Sequence, residues 1–165
     1  LLVVQALRVA GCEQIVAIDI DPFKLNLAKE LGATHCIRVA DEDVATEVLA
    51  ITEGVGVDIA MEVVGKTEPL RTAIDCVRLG GQVGLVGNLQ PNVNLPLQKV
   101  VTRELRLIGS CGSSGEYPRC IELMASGEIK VSPLISQITN LDRGAEFFQR
   151  LYEHEPELLK VVIQP

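Results

Sequence analysis

Two aspartates close the stretch of this chain with the clearest chemical potential. Residues 14–33 read QIVAIDIDPFKLNLAKELGA, and Ile15, Val16, Ala17 and Ile18 make a short apolar run rich in β-branched side chains. Bounded by Gly11 and Asp19, that run predicts a strand buried on both faces, as in a parallel sheet. Pro22 follows where a first helical residue is tolerated, because its missing N–H would be unpaired there. Asp19 and Asp21 therefore fall at the carboxyl end of a strand, where open α/β sheets bind ligands. A carboxylate in that crevice can accept both hydroxyls of an adenosine ribose and would repel a 2′-phosphate. Asp21 is read as the cap of the next helix. Asp19 is read as the ribose acceptor, with a plain turn role as the alternative.

The remaining elements must carry this site. Leu2, Val3, Ala6, Leu7 and Ala10 give one apolar helical face, ended by Gly11. The helix after Pro22 stops at Gly32, and a strand is expected over residues 35–39. Asp41 or Asp43 can cap a helix running to about Glu53. Next come a strand over 57–64 punctuated by Asp58 and Glu62, and a helix with Pro69 near its start that continues to Leu79. Gly80 and Gly81 turn the chain into a strand over 82–86. A loop over 89–97 and a short helix over 99–103 lead to a strand over 105–110. A glycine-serine loop over 112–115 follows, then a helix opened by Pro118. A strand (134–139), a helix (143–152) and a last strand (158–163) complete the chain. This alternation predicts an α/β protein with a parallel, doubly wound sheet.

Composition bounds the partners. The 165 residues are 47% hydrophobic with only 3% aromatic, so aliphatic side chains must fill the interior. A net charge of −7 argues against nucleic-acid or anionic-membrane surfaces. No apolar run reaches spanning length and no signal peptide is visible, so a cytoplasmic protein is expected. The cysteines at 12, 36, 76, 111 and 120 have no metal-ligand spacing and read as free, mostly buried thiols.

In order, AIDIDPFKLNLAKELGA, GVGVDIAMEVVG, LGGQVGLVG and ELRLIGS resemble the cofactor-binding half of medium-chain, zinc-dependent alcohol and polyol dehydrogenases. The sorbitol and threonine dehydrogenase branch is the most similar. The resemblance covers nearly the whole chain and implies a Rossmann-type sheet, NAD as cofactor and a small alcohol or polyol as substrate. It matches Asp19 to the acid on the adenosine ribose, implying NAD over NADP, and Lys24 to a basic position nearby. Val63, Val64 and Gly65 match the strand end on the adenine side. Val86, Gly87 and Asn88 match the one reaching the nicotinamide, and Ile108, Gly109 and Ser110 the edge contacting the carboxamide. It further implies a homodimer through the edge strand over 105–110, which starts at Leu105 and ends at Ser110.

Two departures stand beside these matches. The phosphate loop G-x-G-x-x-G is absent, and the resemblance would put it, with the first strand of the sheet, before Leu1. The start is therefore expected to be a cut, leaving the strand at 15–18 and the one at 57–63 without their shared neighbour. The zinc ligands of the family would lie outside this chain, so no catalytic or metal-binding residue is assigned here. Residues 1–133 are then a truncated NAD-binding domain, and 134–165 a strand–helix–strand returning toward a catalytic domain. Alone, the chain is expected to be inactive. The alternative is a stand-alone nucleotide-binding or oligomerisation module without catalysis.

Overall fold

The computed structural model describes residues 1–39 and 43–165. The first elements are α1 (Leu2–Val9), β1 (Val16–Asp19), α2 (Pro22–Glu30), β2 (His35–Arg38), α3 (Val44–Ile51), β3 (Val57–Glu62) and α4 (Thr67–Cys76). They are followed by β4 (Val77–Leu85), α5 (Leu97–Thr102), β5 (Arg106–Gly109), α6 (Tyr117–Ala125), β6 (Ile135–Asn140), α7 (Gly144–Tyr152) and β7 (Lys160–Gln164). The expected α/β alternation is present. Residues 37–114 form one compact unit, and 1–36 with 115–165 form another. β1 pairs with β2, β3-β4-β5 form a parallel three-stranded sheet, and β6 pairs in parallel with β7. β1 and β3 belong to different sheets, and no strand among the described residues joins them.

Local chemistry explains the helix starts. Asp21 caps α2 by accepting from the Phe23 N–H at 2.9 Å, with Pro22 at the first helical position. Asp43 caps α3, accepting from the Ala45 N–H at 3.2 Å and the Thr46 hydroxyl at 2.8 Å. The other candidate cap, Asp41, lies outside the described residues.

In the 37–114 unit, Leu70, Ile74, Val77, Val83 and Leu105 make the core between α4 and the sheet. Arg103 ties α5 to the end of α4 by donating to the carbonyls of Ile74 and Val77. In the other unit, Val4, Ile15, Ala28 and Ala33 pack together. Gln5 is buried there at 1% exposure, and both ends of its amide are bonded. It donates to the Lys130 carbonyl at 3.1 Å and accepts from the Lys130 N–H at 2.7 Å. Gln5→Ala strips these partners from both the N–H and the carbonyl of Lys130. We expect a loss of about 1–3 kcal/mol in chemical denaturation. An unchanged midpoint would show that water replaces the clamp.

Two expectations are corrected. The helix after Pro69 ends at Cys76, not Leu79, and Val77 is already extended (φ −77°, ψ 141°) as the first residue of β4. Gly80 and Gly81 therefore lie inside that strand as a bulge. Val57 pairs with Val77 and Ile59 with Gln82, so the intervening β4 residues loop out around Gly80 at φ +68°. The glycine pair marks the reversal correctly, but ladder bonds on both sides absorb it into a strand. The cysteines are free, yet only Cys76 is buried. The other four sit on turns, a loop or exposed faces, where local position outweighs the average preference of cysteine for the core. Burial pushes the Cys76 thiol up to about 11.

Candidate functional site: the carboxyl ends of the strands

Asp19 ends β1, half-buried, and its Oδ1 accepts from the Asp21 N–H at 3.0 Å. That bond is the turn role anticipated as an alternative. It uses one carboxylate oxygen and is compatible with a ligand on the other. Lys24 lies one turn into α2, its Nζ 3.9 Å from the Asp21 carboxylate, with both side chains partly exposed. Such a pair is worth little by itself, so the ammonium stays available to a ligand.

In the other unit, the residues proposed from three separate motifs end three neighbouring parallel strands. Val63, Val64 and Gly65 leave β3, Val86, Gly87 and Asn88 leave β4, and Ile108, Gly109 and Ser110 finish β5. Backbone bonds knit the ends together. The Leu89 N–H donates to Val64 O at 3.4 Å, Gln90 N–H to Gly65 O at 2.9 Å, and Ser110 N–H to Leu85 O at 2.9 Å. Gly65 (φ +80°) and Gly87 cross at backbone contact. A Cβ on Gly65 would collide with Asn88 N, and one on Gly87 with Gly65 N. Val63, Val64, Val86 and Ile108 remain exposed around this crossing. The result is an apolar shelf at the carboxyl end of a parallel sheet, where such folds take ligands.

Sequence reasoning missed the residue that organises the shelf. Glu62, the last residue of β3, is 4% exposed. Its Oε1 accepts from Val64 N–H at 2.8 Å and Gly65 N–H at 2.9 Å, and its Oε2 is 3.0 Å from that same Gly65 nitrogen. The signal available was an acid inside an apolar strand directly before V-V-G. It reads as punctuation unless the turn beyond is known to fold back on it.

Among the described residues, no group of three or more His, Cys, Asp or Glu could hold a metal ion. These residues therefore do not by themselves fit a zinc ion. Within the 37–114 unit, the ends of β3 and β4 present side-chain-free backbone at Gly65 and Gly87.

The chain belongs to the zinc-binding dehydrogenases, whose family profile matches residues 1–126. It is 32% identical to the sorbitol dehydrogenase of Bacillus subtilis (strain 168) over 168 aligned residues, covering 100% of this chain and 47% of that protein. The crystal structure of 2R,3R-butanediol dehydrogenase from Bacillus subtilis superposes with a TM-score of 0.89 at 29% identity, covering 99% of this chain and 47% of that one. A protein of Sinorhizobium meliloti 1021, bound to NADP, superposes with a TM-score of 0.85 at 27% identity, over 98% of this chain and 48% of that one. The chain thus spans about half the length of the relatives it matches. Its structural neighbours share a Rossmann-like α/β architecture. No helix among the described residues is long and apolar enough to cross a membrane.

Proposed function

We propose that this chain is the NAD-binding part of a cytoplasmic, zinc-dependent alcohol or polyol dehydrogenase. The observation that carries the reading is the carboxylate of Asp19 at the carboxyl end of β1, inside a chain of the zinc-binding dehydrogenase family. Asp19 accepts the adenosine ribose hydroxyls, and Lys24 flanks them. Val63, Val64 and Gly65 line the adenine side. Val86, Gly87 and Asn88 reach the nicotinamide, and Ile108, Gly109 and Ser110 present backbone to its carboxamide. When bound, the dinucleotide supplies the hydride acceptor for the alcohol carbon. Residues 1–133 serve the cofactor, and the β6–α7–β7 segment within 134–165 packs toward the substrate-binding part. The choice of NAD over NADP rests on the negative charge of Asp19, which disfavours a 2′-phosphate.

On the same reading this chain serves the cofactor and does not itself polarise the alcohol. Mixed with NAD, sorbitol and zinc, it should form no NADH above the protein-free rate. Sustained NADH formation would overturn this division of labour. The same reading makes the chain a homodimer. Among the described residues β5 pairs only with β4, at the edge of its sheet, and Ile108 on it is exposed. Sedimentation should give twice 17.8 kDa, and substituting proline for Leu107 in β5 should return the monomer mass. A monomeric wild-type chain would refute the pairing.

A further inference from the structure

Glu62 accepts four backbone N–H groups at this crevice. Its side chain takes the N–H groups of Val64 and Gly65, while its main-chain carbonyl takes those of Val86 at 2.9 Å and Gly87 at 3.1 Å. These four donors come from the ends of two adjacent strands, and all point at one buried residue. Phosphate sites work the opposite way, aiming free backbone N–H groups outward at the anion. Here the donors face inward, a carboxylate stands behind them, and Val63, Val64 and Val86 are exposed in front.

We propose that Glu62 is a positioning residue that shapes the ends of β3 and β4 into a shelf for an uncharged planar ring and closes them to phosphate. This rests on the dinucleotide reading above for which ring arrives, since a dinucleotide carries both rings and a pyrophosphate. Glu62 itself touches no ligand. It holds Gly65 against Gly87 with the N–H groups of Val64, Gly65, Val86 and Gly87 all turned inward, and it places a carboxylate beneath the shelf. The pyrophosphate must then be held elsewhere, and the rings settle on the apolar surface.

The test compares the full 165-residue chain with Glu62→Gln. Glutamine keeps one acceptor oxygen for the Val64 and Gly65 N–H groups, sets an NH2 donor in place of Oε2 against that same Gly65 N–H, and removes the charge. Adenosine and inorganic phosphate serve as probes, read by backbone amide shifts in NMR. In the wild type, adenosine should move the amides of 63–65 and 86–88, and phosphate at equal concentration should leave them still. In Glu62→Gln, adenosine should bind about fivefold or more weakly, and phosphate should newly move Val64 and Gly65. A residue that only stabilises the fold would lower the denaturation midpoint without exchanging one probe for the other. The proposal is overturned if phosphate moves the wild-type amides, if adenosine does not, or if the variant matches the wild type. It is equally overturned if the variant loses adenosine without gaining phosphate. Should the variant not fold, the wild-type comparison decides alone. A failure of NAD to reach Asp19 would strike the dinucleotide reading, while the adenosine and phosphate result would stand or fall separately.

Discussion

Gly87→Ala should destabilise the chain by about 3 kcal/mol or more. The new Cβ would meet Gly65 N and the Val64 backbone inside van der Waals contact. Every obstructing atom is main chain, so no rotamer change relieves the clash. The strand ends must separate, and the bonds from Leu89 to Val64 and from Gln90 to Gly65 separate with them. Gly109 is the natural control. A Cβ there meets nothing within 4 Å, and its φ is not in the left-handed region. Gly109→Ala should therefore stay within about 0.5 kcal/mol of the wild type. Denaturant midpoints for the two variants settle the matter. Equal effects would mean that the crossing of Gly65 and Gly87 is not a tight packing point.

The second large effect concerns Asp19. Asp19→Ala should weaken NAD about tenfold or more, because a charged acceptor paired to ribose hydroxyls is lost. NADP, whose 2′-phosphate a carboxylate in the proposed ribose role would repel, should lose less. Asp19→Asn separates the two roles of the residue. Asparagine keeps an acceptor for the Asp21 N–H, and with it the turn into α2, but removes the charge. Its expected signature is an unchanged denaturation midpoint with a preference shifted toward NADP. Equal losses for both dinucleotides, or none for NAD, would leave Asp19 with the turn role alone.

What the sequence made legible follows the range of the interactions involved. The strand at Val16, the Asp21 cap and Pro22 are decided within a few residues, and each appears where its local chemistry puts it. The three strand ends with their glycines were readable for the same reason. The bulge at Gly80 and Gly81 was not, because a reversal becomes a bulge only when both flanks find partners, and those partners lie on β3. Glu62 stayed hidden for a related reason. Its bonds to residues 64 and 65 are local, but its meaning depends on β4 lying alongside and sending the amides of Val86 and Gly87 to the same residue. Cysteine exposure was misjudged because a residue-type average was applied to positions that turns and edges control.

The central claim is that this chain carries the NAD-contacting strand ends of a zinc-binding dehydrogenase. Its most direct test is a titration of the isotope-labelled chain with NAD, followed by backbone amide shifts. The 165 residues contain no G-x-G-x-x-G phosphate loop. Binding should therefore be weaker than about 1 mM, near −4 kcal/mol. Within that weak binding, saturable shifts should appear at Asp19 and Lys24, and also at Val64, Gly65, Gly87, Asn88 and Ser110. Shifts confined to other surfaces, such as β6 and β7, or no shift at saturating NAD, would contradict the account.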